Sequence, residues 1–361
     1  MSSTTHRIAV IPGDGIGKEV VPAPQRVLDE AGRLFGFGFD WAPFDWSCER
    51  YTRSGRMMPE DGLDQLREFD QIFLGAVGYQ GVPDHVSLWG LLIPIRRGFQ
   101  QYINLRPIKL LRGIDSPLRK VPEGGIDFLV VRENNEGEYS EIGGRLYRGT
   151  PNELAVQESV FTRVGVERAT RFAIGLAEQR AGKLASATKS NGIIHSMPFW
   201  DEIMRELAAK HPQLEVSEYH IDALSALFVL DPQRFDVIVA SNLFGDILTD
   251  LGAAIIGSIG IAPSANLNPE KEFPSMFEPV HGSAPDIAGQ DKANPLGQVW
   301  AGVMMLEHLG HQDAADAVLG AVEHVLAETD VRTPDLGGKS STEEVTEELL
   351  RTLTTQVPAA R

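Results

Sequence analysis

Short apolar runs alternate with longer amphipathic stretches over most of the chain. Compact apolar runs such as RIAVI at 7–11 and FDVIVAS at 235–241 are typical of buried parallel strands. The stretches between them have helical spacing, and glycine, proline and asparagine mark the turns. This order of strands and helices predicts an α/β protein with a mostly parallel sheet and helices on both faces.

The predicted elements follow one another along most of the sequence. Predicted strands lie at 7–11, 71–77, 103–111, 126–133, 184–188, 214–220 and 235–240. Predicted helices lie at 87–99, with a kink at Pro94, at 164–180, 196–210, 222–230 and 243–256, and beyond Pro295. We interpret 259–273 as a loop because proline, serine and asparagine are frequent there. The glycine-broken stretch 138–162 predicts a projecting β-arm of the kind that locks dimers.

Length, charge and cysteine content narrow the class of protein. The chain has 361 residues, which favours two domains over a single hydrophobic core. Its formal net charge of −17 argues against a nucleic-acid or anionic-membrane surface. The single cysteine, Cys48, excludes an internal disulfide and fits a reducing compartment. We see neither an apolar leader nor a membrane-spanning run and expect a cytoplasmic protein.

The stretch 240–252, ASNLFGDILTDLG, is the strongest candidate for chemistry. Asp246 and Asp250 lie four residues apart on a predicted helix, so both carboxylates project from one face. The helix follows the strand 235–240, and α/β sheets hold their ligands at the carboxyl ends of strands. Two close carboxylates repel each other unless a cation lies between them, and oxygen ligands suit Mg²⁺ or Mn²⁺. The ordinary alternative is a pair of solvated helix acids.

Three arginines form a second group. Arg96 and Arg106 flank a predicted helix-to-strand junction, and Arg132 ends the strand 126–133. A guanidinium group binds a carboxylate or phosphate in a bidentate manner, whereas any one arginine alone is more often part of a structural ion pair. Together with the two aspartates, the arginines predict a pocket for a metal-chelated anion.

Tyr139, Lys189 and Asp222 are further candidates with ordinary structural alternatives. Lys189 follows the strand 184–188 and is a candidate base, although a lone lysine is usually a solvated surface group. Tyr139 is a candidate proton donor or an aromatic residue at the base of the arm. Asp222 begins a predicted helix, where an N-cap is the usual role.

The glycine-rich segment PGDGIG, at 12–17, lies between the first strand and a helix. Its glycines lack the spacing of a Rossmann dinucleotide site, and no acidic residue ends a second strand at the expected distance. We therefore reject a Rossmann site and interpret the segment as a turn.

The motifs taken together resemble the β-decarboxylating dehydrogenases, the isocitrate and isopropylmalate dehydrogenase family. They occur in the family's order across residues 7 to 355: PGDGIG, RR, NLRP, VVRENNEGEY, TKSN, HID, NLFGDILTDLG, PSANLNP, FEPVHGSAPDIAG and KANP. SLWG, KSNG and NLNPE are most similar to the branch that acts on tartrate and D-malate. The resemblance implies an isopropylmalate-dehydrogenase-like fold with two subdomains and a non-Rossmann cofactor site.

The resemblance also implies a discontinuous division of the chain. Residues 1–101 and 257–361 would form a large cofactor-binding domain. Residues 102–256, including the arm at 138–162, would bind substrate and metal and form a homodimer with shared active sites.

By position, the resemblance implies roles for the candidate residues. Tyr139 matches the proton donor to the enol, and Lys189 matches the base that the partner subunit supplies. The implied metal ligands are Asp246, Asp250 and the partner subunit's Asp222. The implied carboxylate-binding residues are Arg96, Arg106 and Arg132.

The cofactor implied by the resemblance is NAD, with Mg²⁺ or Mn²⁺ and K⁺ as a further candidate. The residues matching the adenine and ribose side of its site are His281, Gly282, Ser283, Ala284, Asp286 and Asn294. A carboxylate such as Asp286 accepts hydrogen bonds from a free ribose 2′-hydroxyl and repels a 2′-phosphate. NADP-using relatives carry Lys-Tyr where this chain has Asp286-Ile287.

The substrate position departs from the better-known relatives. Isocitrate relatives use a serine and an asparagine where this chain has Gly90 and Leu92, and isopropylmalate relatives carry a glutamate in place of Trp89. We hypothesise that Trp89 fills a side pocket and favours a small C4 diacid such as D-malate or tartrate, with ordinary core packing as the alternative.

Other functions remain as alternatives to a tartrate or D-malate dehydrogenase. They are a 3-isopropylmalate dehydrogenase, a catalytically silent regulatory subunit of the same fold and, without the resemblance, a metal-dependent phosphate-binding protein. Regulatory subunits tend to lose the lysine, tyrosine or aspartates, and all of these are present here.

Overall fold

The secondary structure over residues 4–357, which the computed structural model describes, alternates strands and helices. The strands are β1 (Thr4–Gly13), β2 (Phe37–Pro43), β3 (Gln71–Ala76), β4 (Ile103–Lys109), β5 (Asp127–Glu133), β6 (Gly143–Leu146), β7 (Leu154–Gln157), β8 (Lys183–Thr188), β9 (Glu215–His220), β10 (Val237–Ala240), β11 (Pro263–Leu267) and β12 (Ser275–Pro279). The helices are α1 (Gly17–Val20), α2 (Pro22–Phe35), α3 (Cys48–Ser54), α4 (Gly62–Leu66), α5 (Asp84–Ser87), α6 (Ile93–Gly98), α7 (Arg163–Gln179), α8 (Ser196–Ala208), α9 (Ile221–Leu230), α10 (Asn242–Ile255), α11 (Leu296–Leu309), α12 (Gln312–Glu328) and α13 (Thr342–Gln356). None of these helices combines the length and apolar character needed to cross a bilayer.

The chain forms two compact units, each built from separate stretches of sequence. The first unit contains the described residues up to Gln101, Leu110–Arg119 and the described residues from Ala253. The second unit contains Tyr102–Lys109 and Lys120–Gly252.

The first unit is built on strands in the order β2-β1-β3-β12-β11. Strand β1 pairs in parallel with β2 and β3, and β12 pairs in parallel with β3. Every residue of β3 is buried, as expected for a central parallel strand covered on both faces. Helix α11 is buried from Leu296 to Leu306 and packs on β11, β12, α2 and α12, which explains its apolar character on all sides.

The interpretation of 259–273 as a loop was wrong. Strand β11 lies within it, is fully buried and pairs antiparallel with β12. Pro263 occupies the first strand position, where a missing N–H is tolerated. Asn266 is buried and donates to Glu278 Oε1 at 2.6 Å, so its polar character reflects a buried hydrogen bond and not a surface loop.

The helix predicted at 87–99 is interrupted. Helix α5 ends at Ser87, a π-helical turn covers Leu88–Leu92, and α6 follows. The chain stays helical through this turn, and Pro94 lacks the N–H that would continue the hydrogen-bond ladder to the carbonyls of the π turn. The irregularity therefore lies in the turn just before Pro94, where a proline disturbs a helix.

Cys48 is 1% exposed and belongs to the apolar core of the first unit. Its neighbours in that cluster include Trp46, Met57 and Leu91. Burial raises the pKa of the Cys48 thiol to about 12, and the negative charge of Asp14 contributes to the shift. The thiol therefore serves as a small apolar group.

The second unit is built on strands in the order β4-β5-β10-β8-β9. Strand β4 is antiparallel to β5, and the other pairings are parallel. The rings of Phe228 and Phe235 each pack edge to face with Phe128 and are tilted against each other, with ring centroids 4.9 to 5.9 Å apart. The prediction of a mostly parallel α/β fold is confirmed in both units.

Strands β6 and β7 form a separate two-stranded antiparallel arm in which every residue is exposed. The exposed large apolar side chains of the second unit lie mostly in and beyond this arm. They are Val121, Ile142, Leu146, Tyr147, Leu154, Val156, Val164, Ile193, Ile194, Val229, Leu230 and Ile247. Such a concentration is typical of a surface that binds another protein.

Candidate active site

Helix α10 begins directly after the buried strand β10 and carries Asp246 and Asp250 on one face. Gly245 allows the helix to approach strand β5 closely. A Cβ atom at this position would lie 2.6 Å from the Cβ of Arg132. The glycine of the NLFGD sequence therefore brings the two acids next to an arginine.

Arg132 is held from two sides by α10. Its Nε and Nη2 donate to Asn242 Oδ1 at 3.0 and 2.5 Å, and its Nη1 forms an ion pair with Asp246 Oδ1. The side chain is only 4% exposed, so the fork has a fixed orientation. Asn242 was not among the residues singled out from the sequence, because nothing local distinguishes it from an ordinary first helical residue.

Arg106 reaches the same helix from strand β4. Its Nη1 donates to Thr249 Oγ1 at 2.6 Å and lies 3.8 Å from Asp250 Oδ1, and its Nη2 lies 3.5 Å from Asp246 Oδ1. Arg106 and Arg132 thus place two buried positive groups beside two carboxylates.

Tyr139 completes the group. Its hydroxyl donates to Asp246 Oδ2 at 3.1 Å, and Arg132 lies 5.8 Å from the centre of its ring. Tyr139 follows a turn after β5. Asn242 Nδ2 donates a hydrogen bond to the Glu136 carbonyl of this turn at 3.3 Å. The Leu243 N–H donates to the Glu138 carboxylate at 3.3 Å.

Glu133 stabilises the start of this turn. Its carboxylate accepts the N–H groups of Asn135 and Glu136 at 3.0 and 2.8 Å, and Arg168 lies 3.6 Å away. Burial raises the pKa of Glu133 to about 7, although the two N–H groups and Arg168 favour the ionised form.

The oxygen atoms of Asp246 and Asp250 suit a hard divalent cation. Burial raises the pKa of Asp250 above its ordinary value; Arg106 opposes this shift and Asp246 adds to it. Within residues 4–357, no three His, Cys, Asp or Glu side chains form a group that could hold a metal ion. A cation bound to Asp246 and Asp250 would need donors beyond these two carboxylates to complete its coordination.

Lys189 and Asp222 form a separate pair. Lys189, just after β8, donates to Asp222 Oδ1 at 2.7 Å, and this bond lowers the pKa of Asp222. His220, not Asp222, is the N-cap of α9, and Asp222 lies in the first turn, where an acidic residue is favourable. Within one chain Asp222 does not join Asp246 and Asp250 in a metal-binding group of three among the described residues.

Arg96 lies in the first unit with a carboxylate partner of its own. Its Nη2 donates to Glu278 Oε1 at 2.8 Å, and both side chains are 10% exposed. This is the structural ion pair that the sequence left as an alternative for a single arginine. Binding of a substrate carboxylate by Arg96 stays a prediction.

Trp89 lies in the π-helical turn and is half-buried. The guanidinium group of Arg97 lies 5.2 Å from the centre of its ring. The next residue, Gly90, approaches Met57 so closely that a Cβ would lie 2.7 Å from Met57 Cγ. A π turn at a predicted substrate position agrees with the frequent occurrence of such turns at functional sites.

The predicted cofactor residues His281, Gly282, Ser283 and Ala284 form a segment that contacts the PGDGIG turn. The Ile16 N–H donates to the Ser283 carbonyl at 2.9 Å. Gly15 has φ of 52°, and a Cβ there would lie 2.0 Å from the same oxygen. The PGDGIG segment is a turn, as the sequence indicated, and it also contacts the predicted cofactor segment.

The predicted cofactor segment has an exposed carboxylate, open space and a buried polar atom that a nucleotide could use. Asp286 is exposed, and Gly282 has open space where a side chain would stand. His281 Nε2 is buried without a hydrogen-bond partner among the described residues, and burial lowers the pKa of this histidine.

Asn294 is committed to the protein at both ends of its amide. Its Nδ2 donates to Asp335 Oδ2 and its Oδ1 accepts the Leu296 N–H, each at 2.9 Å. Its side chain therefore satisfies the first N–H of α11 from the residue before the N-cap, Pro295, and any nucleotide contact would add to that role.

Comparison with known proteins gives concordant matches over nearly the whole chain. Residues 7–349 match the family described as isocitrate/isopropylmalate dehydrogenase. The chain is 54% identical over 351 residues to a probable tartrate dehydrogenase/decarboxylase of Bacillus subtilis (strain 168), covering 97% of this chain and 98% of that protein. It is 54% identical over 355 residues to the D-malate dehydrogenase [decarboxylating] of Escherichia coli (strain K12), covering 96% and 98%. Among solved structures, an isocitrate dehydrogenase from Methylococcus capsulatus matches with a TM-score of 0.86 and 33% identity, over 96% of this chain and 99% of that one.

Proposed function

Because the chain belongs to the isocitrate/isopropylmalate dehydrogenase family, we propose that it oxidises a small C4 2-hydroxy diacid, D-malate or tartrate, with NAD and a divalent cation. Oxidation is followed by loss of the β-carboxylate where the reaction includes it. The family membership confirms the family that the ordered motifs predicted. The observation that carries the proposal is the bonded group of Arg106, Arg132, Tyr139 and Asp246, with Asp250 beside it.

Arg106 and Arg132 would bind the substrate carboxylates. Both guanidinium groups are almost completely buried, where a charged hydrogen bond to a carboxylate is strong. Asp246 and Asp250 would hold Mg²⁺ or Mn²⁺. When bound, the cation would polarise the oxygen at C2 of the substrate and the nicotinamide would accept the hydride.

Lys189 would remove the proton from the C2 hydroxyl, and Tyr139 would later protonate C3. The Tyr139 hydroxyl donates to Asp246 Oδ2, so its proton points toward the acidic pair. Lys189 is paired with Asp222, which supports their joint use in one site.

We assign that pair to the active site of a second subunit. The exposed apolar side chains at Ile193 and Ile194, close to Lys189, and at Val229 and Leu230, at the end of α9, support a homodimer. In such a dimer the partner subunit's Asp222 and the partner subunit's Lys189 would complete the group around Asp246.

NAD is favoured over NADP by the exposed carboxylate of Asp286. A ribose 2′-hydroxyl can donate to this group, whereas a 2′-phosphate would be repelled by its charge. His281 Nε2 and the open space at Gly282 support a nucleotide at the same segment.

Trp89 is the residue proposed to limit substrate size. A large ring at the position where isopropylmalate relatives carry a glutamate would leave less space for an isopropyl or carboxymethyl substituent. The alternative of a 3-isopropylmalate dehydrogenase predicts the opposite preference. A regulatory subunit of the same fold is disfavoured because Tyr139, Lys189 and the aspartates are all present.

The test is NADH formation by the full-length protein with D-malate, L-tartrate, meso-tartrate, isocitrate and 3-isopropylmalate, each with Mg²⁺ or Mn²⁺ and with or without K⁺. We expect the highest kcat/KM with D-malate or a tartrate, no activity after EDTA treatment, and a strong preference for NAD. Trp89→Ala should reduce the ratio of kcat/KM for the preferred C4 diacid to kcat/KM for 3-isopropylmalate by about tenfold. A pocket difference of this kind is worth roughly 1 to 3 kcal/mol. A higher kcat/KM with 3-isopropylmalate in the unmodified protein would refute the substrate assignment.

A further inference from the structure

We propose that Glu19 positions the cofactor loop, residues 281–291, and thereby sets the affinity for NAD. The inference rests on the proposed function, because it assumes that the nucleotide binds to this loop. Glu19 acts through the loop backbone, so it is a positioning residue and not a catalytic one.

The carboxylate of Glu19 joins two backbone N–H groups at the end of the cofactor loop. Its Oε1 accepts the N–H of Gly289 and its Oε2 accepts the N–H of Asp291 at 3.0 Å. Hydrogen bonds to an ionised carboxylate are stronger than those between neutral groups. One side chain from helix α1 thus connects with residues some 270 positions later.

The backbone at this end of the loop has an uncommon conformation. Gly289 has φ of 76°, and Asp291, which carries a side chain, has φ of 54°. Residues other than glycine rarely adopt this left-handed region unless surrounding contacts enforce it. The Asp291 carbonyl accepts the Thr342 N–H at 3.1 Å and its Oδ1 accepts the Glu343 N–H at 3.1 Å, so α13 holds one side while Glu19 holds the other.

The end of the loop that Glu19 holds, at Gly289 and Asp291, is connected to Asp286 by hydrogen bonds. Gln290 Nε2 donates to the Asp286 carbonyl at 2.7 Å, and its N–H donates to the Ile287 carbonyl at 3.2 Å. In the preceding turn, the Ile287 N–H donates to the Ala284 carbonyl at 3.2 Å. A shift of Gly289 or Asp291 would therefore move the segment that carries the Asp286 carboxylate.

The same short segment also holds the beginning of the loop. Ile16, three residues before Glu19, donates its N–H to the Ser283 carbonyl at 2.9 Å. Residues 16–19 therefore contact the cofactor loop on both sides of Asp286. The PGDGIGKE stretch therefore supports the cofactor loop through hydrogen bonds, and Glu19 supplies the charged group among them.

Lys18 provides a matched control. It neighbours Glu19, yet its ammonium group pairs with Glu49 at 2.6 Å, and both side chains are about half exposed. Lys18→Gln changes a charge on the same short helix without removing a bond to the loop.

The test measures NADH binding by fluorescence titration in the full-length wild-type protein and in Glu19→Gln, Glu19→Ala and Lys18→Gln. Loss of a charge-assisted bond corresponds to about a tenfold factor, so we expect Glu19→Ala to raise the Kd for NADH about tenfold. Glu19→Gln keeps one acceptor oxygen and should show a smaller increase, and Lys18→Gln should bind as wild type does. In steady-state assays KM for NAD should rise while KM for the hydroxy acid stays unchanged.

Hydrogen exchange gives a readout that does not depend on activity. The amides of Gly289 and Asp291 should exchange faster in Glu19→Gln than in the wild type and at the wild-type rate in Lys18→Gln. This comparison remains decisive if Glu19→Ala fails to fold.

The outcomes separate this inference from the proposed function. If both Glu19 variants bind NADH with the wild-type Kd, the positioning role of Glu19 is refuted, even if the melting temperatures of the variants fall. The proposed function would then stand. Wild-type protein that does not bind NADH at all would overturn the cofactor assignment, and this inference with it.

Discussion

The carboxylate of Asp14 is fully buried and accepts three backbone N–H groups. The donors are Cys48 at 2.9 Å, Glu49 at 3.1 Å and Gly78 at 3.2 Å. These bonds join the PGDGIG turn to the start of α3 and to the chain after β3. The acidic residue of a glycine-rich turn thus organises three segments that are distant in sequence.

Asp14→Ala should destabilise the protein strongly. Removal of the carboxylate leaves three N–H groups without their acceptor, so the free energy of unfolding should fall by about 3 kcal/mol or more. Urea unfolding of the wild type and the variant measures this difference. Asp45→Ala is the control, because Asp45 is exposed and its pairs with Arg50 and Arg53 should contribute less than about 1 kcal/mol. Equal losses in both variants would contradict the role of Asp14.

Some of the site at residue level follows from local sequence and some does not. The spacing of Asp246 and Asp250 and the position of Arg132 at a strand end are local features, and the structure brings these residues together. Their roles stay predictions. Asp14 and Glu19 act through residues far along the chain, and no spacing rule connects such partners before the fold is known.

At the scale of elements, compact apolar runs predicted central buried strands. The half-exposed β9 was also predicted, but the fully buried β12 was not. Strands β3 and β10 are buried throughout and were expected. Strand β2 is only partly buried at the edge of the first unit, and β11 has buried polar side chains that look like loop residues. Pro94 marks an irregularity just after the π turn at Leu88–Leu92, but it does not indicate the π-helical bonding of that turn.

His308, in the last turn of helix α11, makes the stability of the protein dependent on pH. Burial lowers the pKa of His308 to about 4 from 6.5, and the positive charge of Lys271 adds to the shift. The unfolded chain therefore binds a proton as the pH falls below 6.5, whereas the folded protein does so only near pH 4. The contribution of neutral His308 to the free energy of unfolding is fully present above pH 6.5. About 3 kcal/mol of it is lost as the pH falls to 4.

His308→Gln should flatten the dependence of unfolding free energy on pH between 6.5 and 4. Glutamine retains a polar group opposite Ser275 Oγ, which lies 3.2 Å from His308 Nε2, but it does not titrate. Urea unfolding at several pH values in this range measures the slope. His85→Gln, at an exposed position, is the control. Parallel curves for the wild type and His308→Gln would rule out this contribution.

At the scale of the whole molecule, the order of motifs was sufficient to predict the family and the α/β fold, and both are confirmed. Many ordered matches along one chain are informative because each restricts the others. The assignment of Lys189 and Asp222 to a neighbouring subunit's site stays a prediction, since it concerns contacts outside a single chain.

Mixing two inactive variants tests the shared site. In a symmetric dimer, Lys189→Ala and Asp246→Asn chains that exchange subunits form hybrids with one intact site and one site that carries both changes. Random exchange should then restore about a quarter of wild-type activity, because half of the dimers are hybrids with one working site each. Each variant alone, treated in the same way, is the control. No recovery after demonstrated subunit exchange would mean that both residues act within one chain.

The buried cysteine has a practical consequence for measuring motion. With a thiol pKa near 12 and 1% exposure, Cys48 carries almost no reactive thiolate at neutral pH. Maleimide dyes should therefore leave the unmodified protein unlabelled, and the native cysteine can stay in place. Exposed substitutions such as Ser54→Cys in the first unit and Thr150→Cys in the arm would then accept a donor and an acceptor dye. Energy transfer between the dyes would report the distance between these two points with and without substrate.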